Sequence, residues 1–429
     1  MTDVVRSARP ALIFSLVFVL VTVAACVGVT AASRDGDDST RYSATLPSPG
    51  AAGAAGAAAG EPDDGTPAGP PSPAQPTVKP APAGGISGKG AVAGGGLLFG
   101  AQLQGDAPLD DIRQDEGSSV PLPGGRTLYF FADTLHLHTT PKFFATSSAA
   151  IADPRTPLRL EYASNPRGVP LEFLPREPDE KTSQVDGVRY TAVWPTGATN
   201  LPDGRTIIAY GKYDIVINPP SITFRGAGLY EFGYRDAARF RNGGQAHRIA
   251  DDIWTPDVGA VGTPTYHDGY VYFTLCEDLE CYSLRVKPAG LADPGQYRWW
   301  TGGGWSASKA DRSPMRFGAS RPGHNPSVVW VPAVDAFVMA DTAAGSAARS
   351  GMIWVSPNPW GPWSVPAPVG LTRCSRGGCY GLNVQASQST GGTIRISYSP
   401  VMVDRVGPYV YLIDQAVRIS NNGRRVSTG

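Results

Sequence analysis

The feature that most constrains this chain is a short hairpin that recurs along it. A turn bearing Gly or Asp is followed by a strand of aromatic and branched residues, and this happens five times. The segments are Pro-Gly-Gly-Arg-Thr-Leu-Tyr-Phe-Phe-Ala-Asp from Pro123, Pro-Asp-Gly-Arg-Thr-Ile-Ile-Ala-Tyr-Gly-Lys from Pro202, His-Asp-Gly-Tyr-Val-Tyr-Phe-Thr-Leu from His267, Ala-Val-Asp-Ala-Phe-Val-Met-Ala-Asp from Ala333 and Gly-Gly-Thr-Ile-Arg-Ile-Ser-Tyr from Gly391. Their starts lie roughly 60 to 80 residues apart. Between them run short apolar stretches broken by Gly, Pro, Asp and Asn, with scarcely any helical periodicity, which is how a β protein reads. Radial repetition buries the faces of such units against their neighbours. Five copies therefore predict an all-β fold, a five-bladed β-propeller over residues 93–429. A β-sandwich is the competing architecture, but it does not require one turn and strand to recur so regularly.

The chain ahead of residue 93 has a different character. Residues 1–32 carry Arg6 and Arg9 and then an uncharged, mainly apolar run from Ala11 to Ala25. This is the charged start and apolar middle of an export segment: a signal peptide, a lipoprotein signal or a signal anchor helix. Val23-Ala24-Ala25-Cys26 looks like a lipobox, which would lipidate Cys26; read on to Ala32, the run of about 22 residues is long enough to span a bilayer uncleaved; ordinary cleavage near Ala31 or Ala32 is the third ending. All three place the bulk outside the cytoplasm, in the cell envelope, membrane-anchored or secreted. Residues 33–92, rich in Ala, Gly and Pro, lack the branched and aromatic residues needed for a core and read as a disordered linker with a span on the order of 40 Å.

Charge narrows the partners. With 37 basic and 37 acidic side chains and only 17% charged residues, no broad field favours nucleic acid or anionic lipid. Membrane contact is expected only through the N-terminal segment or a lipid. The four cysteines beyond Cys26 form two equal spacings, Cys276-x4-Cys281 and Cys374-x4-Cys379, which in an oxidising compartment predict two local disulfides. A four-cysteine zinc site is the alternative.

Chemistry is expected where the innermost strands start and the second strands end, because those positions converge around one funnel. In the first repeat Asp115 and Asp133 are equidistant from Gly124, the turn residue. If that register holds, the two carboxylates face each other on adjacent strands, with Cβ atoms roughly 5 Å apart. Two acids that close share protons, which suits a general acid beside a base or nucleophile. The plain alternative is that Asp133 caps a turn and Asp115 or Glu116 is a solvated loop charge; Asp341-Thr342 in the fourth repeat echoes Asp133-Thr134 and favours it. By the same rule of position, Glu116, Trp194, Thr196, His324, Asn325, Tyr380 and Asn383 are candidates for binding substrate hydroxyls or stacking on sugar rings. No His/Asp spacing demands a metal, and no cofactor is expected.

The segment from Asp115 to Thr134, Asp-Glu-Gly-Ser-Ser-Val-Pro-Leu-Pro-Gly-Gly-Arg-Thr-Leu-Tyr-Phe-Phe-Ala-Asp-Thr, resembles the first blade of an actinobacterial five-bladed propeller family classed as a domain of unknown function (number 4185). Gly323-His324-Asn325-Pro326-Ser327-Val328 and Ser356-Pro357-Asn358-Pro359-Trp360-Gly361-Pro362-Trp363-Ser364 are similar to fourth-blade segments of furanosidase propellers such as glycoside hydrolase family 43. The resemblance implies an exported glycoside hydrolase acting on cell-wall furanosides, endo-D-arabinanase-like, with arabinan-type cell-wall polysaccharide as its partner and Asp115 and Asp133 at the family's acidic positions. Ala132 stands where the family has Gly, and Glu116 where a small residue is commoner. The alternatives are a non-catalytic glycan-binding or envelope scaffold propeller, and a metal-dependent lactonase or phosphodiesterase. A sialidase is disfavoured by the lack of a Ser-x-Asp-x-Gly-x-x-Trp box.

Overall fold

A computed structural model describes residues 99–101 and 112–428 with short interruptions, among them 137–142, 323–325, 343–349 and 401–409. The expected export segment with Cys26, and the expected linker, lie outside the described residues. Among the described residues no helix is long and apolar enough to cross a membrane.

The folded part is an all-β, five-bladed propeller. Blade I is built, from the axis outward, by Ser118–Pro121, Thr127–Phe131, Ser148–Asp153 and Thr156–Tyr162, with Phe99–Ala101 added in parallel on its outer edge. Blade II is Arg189–Asn200, Arg205–Ile217, Pro220–Gly233 and His247–Trp254. Blade III has a broken innermost strand, Ala260–Val261 and Thr265–His267, on Tyr270–Glu277, followed by Glu280–Val286, Arg298–Trp300 and Trp305–Ser306. Blade IV is Ser327–Val331, Ala336–Thr342, Ser350–Ser356 and Ala367–Gly370, and blade V is Cys379–Val384, Thr393–Pro400, Tyr411–Ile419 and Val426–Thr428. Each of the five repeated segments supplies the turn from first to second strand of its own blade. Two of these turns, Asp268-Gly269 and Gly391-Gly392, hold both central residues at positive φ, as two-residue hairpin loops require.

Burial explains why the second strands are so apolar. A blade is covered on both faces by its neighbours, so a strand near the axis has no solvent side and reads as a continuous apolar run. Thr127–Phe131 is buried at every position, whereas the outer strand Ala367–Gly370 alternates buried and exposed. The two-residue period then divides each strand between two interfaces. Leu128 and Phe130 pack toward blade II with Val193, Ile208 and Tyr210, while Tyr129 and Phe131 pack with Val410 of blade V. Ile207 and Ala209 join Val271, Phe273 and Leu275 between blades II and III; Phe337 and Met339 meet Cys276 and Cys281 between III and IV; Val338 and Ala340 meet Ile394, Ile396 and Tyr398 between IV and V. One apolar cluster thus fills each of the five interfaces.

Hydrogen bonds between innermost strands close the ring. Asn200 Nδ2 donates to Pro121 O (2.6 Å), Thr263 Oγ1 to Thr196 O (3.2 Å), Thr265 Oγ1 to Val328 O (2.6 Å) and Val384 N to Ser327 Oγ (3.2 Å). The last junction, from blade V back to blade I, is made by Gln385, whose Nε2 donates to Gly117 O at 2.8 Å and whose Oε1 accepts from Ser119 Oγ. Blade I consists of strands from the beginning of the folded part and blade V of strands from its end. Among the described strands none is exchanged between them, so this seam is held by side-chain hydrogen bonds and apolar contact.

Candidate active site

Blade I carries an extension that is set off from it as a separate small sheet. Beyond the blade, Ile112–Gln114, Thr134–His136 and Phe143–Ala145 form a small three-stranded sheet that continues the same chain segments. The register is unchanged across the gap: Gln114 pairs with Thr134 and Ser118 with Phe130, so the intervening residues set Asp115 opposite Asp133. The third strand follows suit, with Phe131 paired to Ser148 and Thr134 to Ala145. The ladder is therefore interrupted at one level across three strands, and that level holds both acids. Ala132 N still donates to Asp115 O at 3.2 Å, which ties the two sides together.

Neighbouring blades supply the partners. Tyr380 OH of blade V donates to Asp115 Oδ2 (2.9 Å), and Trp194 Nε1 of blade II donates to Asp133 Oδ1 (2.7 Å). Glu116 takes a left-handed backbone, φ 59°, and its N–H donates to Ser399 Oγ at 3.1 Å. Asp115 and Asp133 are 6% and 4% exposed, which matters for access; Glu116, Trp194 and Tyr190 keep more surface. Asp115 Oδ1, also buried, has no hydrogen-bond partner among the described residues.

Burial dominates the electrostatics. It pushes the Asp115 carboxyl up to about 7, against the hydrogen bond from Tyr380 and the backbone amides of Asp133 and Asp115, which favour the anion. Burial and then the charge of Asp115 push Glu116 up to about 8. Asp133 is raised well above the carboxylate range by burial and by Asp115, with Trp194 pulling the other way. The Tyr190 phenol is raised too, by burial first and then by Asp133 and Asp115. Near neutral pH the cluster thus keeps at least one proton beside a carboxylate, and such a set can donate a proton to a leaving oxygen while another member acts as base or nucleophile.

Of the other residues expected at the mouth, Thr196 accepts from Thr263 through its carbonyl and Asn383 donates to Gly381 O (3.1 Å), both backbone-directed roles. Tyr380 contacts an acid directly. His324 and Asn325 lie outside the described residues. Asp341, the echo of Asp133, accepts from its own neighbour Thr342 N (2.7 Å) and is partly exposed, so one dipeptide serves a turn in blade IV and meets an indole in blade I. The four cysteines pair as predicted: Cys276–Cys281 bridges directly opposed residues of one hairpin, and Cys374–Cys379 ends one residue before Tyr380. Sequence reasoning missed Tyr190, Ser399 and Gln385. Each reaches blade I from another blade, and no local motif marks it.

No family model matches the sequence, and no curated protein matches it. Among solved structures, a Bacteroides ovatus protein described provisionally as a hydrolase aligns with a TM-score of 0.50 and 16% identity over 70% of this chain and 85% of that one. The catalytic domain of a family 62 α-L-arabinofuranosidase from Coprinopsis cinerea aligns at 0.43 and 11% identity over 75% and 97%. Zg3597, a family 117 glycoside hydrolase from Zobellia galactanivorans, aligns at 0.44 and 10% over 75% and 91%. The first likeness supports the architecture; the other two are too distant to carry an argument, and none of the three speaks to activity.

Proposed function

We propose that this chain is a glycoside hydrolase of the cell envelope that cuts furanosidic linkages in a wall polysaccharide, in the manner of an endo-D-arabinanase. The observation that carries the reading is the interrupted ladder of blade I, which holds Asp115 and Asp133 opposite each other, with Glu116 adjoining, and gives the two acids different partners, a phenol and an indole. Glycoside cleavage asks for that division: one carboxylic acid to protonate the leaving oxygen and one carboxylate to assist attack at the sugar carbon. Asp115, whose anion the Tyr380 hydroxyl favours, is the carboxylate in this reading, and Asp133 is the acid. In this reading the sugar ring rests on Trp194 and Tyr190. The furanoside and arabinan choice rests on the sequence resemblance, and the envelope location on the expected export segment and linker.

The test is incubation of the full chain with arabinogalactan. Released oligosaccharides that fall by at least about 100-fold in Asp115→Asn and in Asp133→Asn are expected. Unchanged turnover in both variants overturns the assignment. The near-complete burial of both acids favours a second reading, a glycan-binding propeller without turnover, which predicts saturable binding with no product.

A further inference from the structure

We propose that a cleft between blades III and IV is a second saccharide-binding site, which holds the neutral polysaccharide by stacking its rings on tryptophan while the acids of blade I act elsewhere. The ligand class rests on the reading above; the cleft itself does not. Its volume is about 900 Å³, and Trp300, Thr301, Arg316, Asn358 and Trp360 line it. Trp300 and Trp360 lie nearly parallel, at 28° with ring centroids 4.9 Å apart. Trp305 stands edge-on to Trp360 at 5.2 Å, and the buried Tyr272 backs Trp360 at 5.8 Å. The three indoles are each only half-buried, although a propeller has ample interior in which to hide them. An aromatic cluster left open in a concave site marks a ligand surface.

The chemistry of the lining selects a sugar. Indole faces accept the C–H face of a saccharide ring, and the hydroxyl of Thr301, the amide of Asn358 and the guanidinium of Arg316 are suited to its hydroxyls. Glu280, which also lines the cleft, offsets the charge of Arg316, so the site has no net attraction for an ion. The lining is held in place before any ligand arrives. Met315 N donates to Cys281 O (2.7 Å), next to the Cys276–Cys281 bridge, and Trp363 N donates to Arg316 O (3.1 Å), which fastens the Met315-Arg316 segment to both blades. Preorganisation of this kind spares the ordering entropy of binding. The cleft shares no residue with the acids or their partners.

Affinity electrophoresis of the full chain through gels containing soluble arabinogalactan tests the inference. Wild type and Asp115→Asn should be retarded alike. Trp360→Ala should weaken binding by about tenfold and Arg316→Ala by severalfold, with cleavage of a short soluble oligosaccharide unchanged in both. Should Trp360→Ala fail to fold, Arg316→Ala, altered at an exposed side chain, decides. Wild-type binding by folded Trp360→Ala, loss of binding in Asp115→Asn, or no retardation of any form overturns the proposal. Retardation without product would keep this site and remove the hydrolase reading; product without retardation would do the reverse.

Discussion

At Asp115 two opposed influences meet, burial that favours the neutral acid and a phenol that favours the anion. Tyr380→Phe removes the second and leaves the first, so the Asp115 pKa rises further. If Asp115 is the carboxylate of the reaction, the acid limb of the kcat/KM profile should then move to higher pH, with turnover at neutral pH down by about tenfold. An unshifted limb would detach Tyr380 from the chemistry. Asp115 and Asp133 were legible in the sequence because counting outward from Gly124 is enough to pair residues within one hairpin. Tyr380 was found from its place at the start of an innermost strand, but its bond to Asp115 spans 265 residues, and nothing in the local sequence encodes that contact. Tyr190 and Ser399 escaped for the same reason. Asp133 and Asp341 show the converse limit: identical neighbours along the chain leave the surroundings in space undetermined.

At the scale of strands, the repeat was readable because burial on both faces of a blade forces an apolar run after every turn, and that run survives divergence of the residues within it. The extension of blade I was not readable, because its strands are only three residues long and differ from the blade proper by a break in the ladder rather than by composition. Contacts between innermost strands give a sharp test. Gly197 has φ 155°, and a Cβ there would sit 2.7 Å from the Cα of Thr263 in blade III. Gly197→Ala should destabilise the fold by about 2–4 kcal/mol, read as a fall in Tm of several degrees; an unchanged Tm would mean that blades II and III part without penalty. Reduction of the two disulfides, each closing a short loop, should lower stability as well, by about 2 kcal/mol per bridge in the chain-entropy picture, read as a lower Tm.

For the molecule as a whole, the seam between blades I and V is also the seam that supports the acids. Gln385→Ala removes the donor to Gly117 O and Ser397 Oγ and the acceptor of Ser119 Oγ, so three seam hydrogen bonds go and only the Ser397 Oγ donation to Gly117 O stays. A loss of about 2–4 kcal/mol in denaturant unfolding is expected, with activity falling in step. Protons act at the same place. Asp115 and Glu116 are raised in the fold to about 7 and about 8 from 3.8 and 4.5, so their contribution to stability is complete below about pH 4 and is lost as pH rises toward 8. Each proton held only by the native state changes stability by about 1.4 kcal/mol per pH unit across that window. Asp115→Asn should therefore flatten the decline in Tm between pH 5 and 8, and an identical slope would contradict the raised pKa. The seam also bears on timing. Tyr380 leaves the ribosome 265 residues after Asp115, and among the described strands none is exchanged to bring blade V to blade I ahead of the rest. A chain that has grown only through blade IV consequently lacks the phenol that steadies Asp115, and a product cut short before Cys379 would still hold a glycan in the cleft of blades III and IV without the completed acid site to cut it.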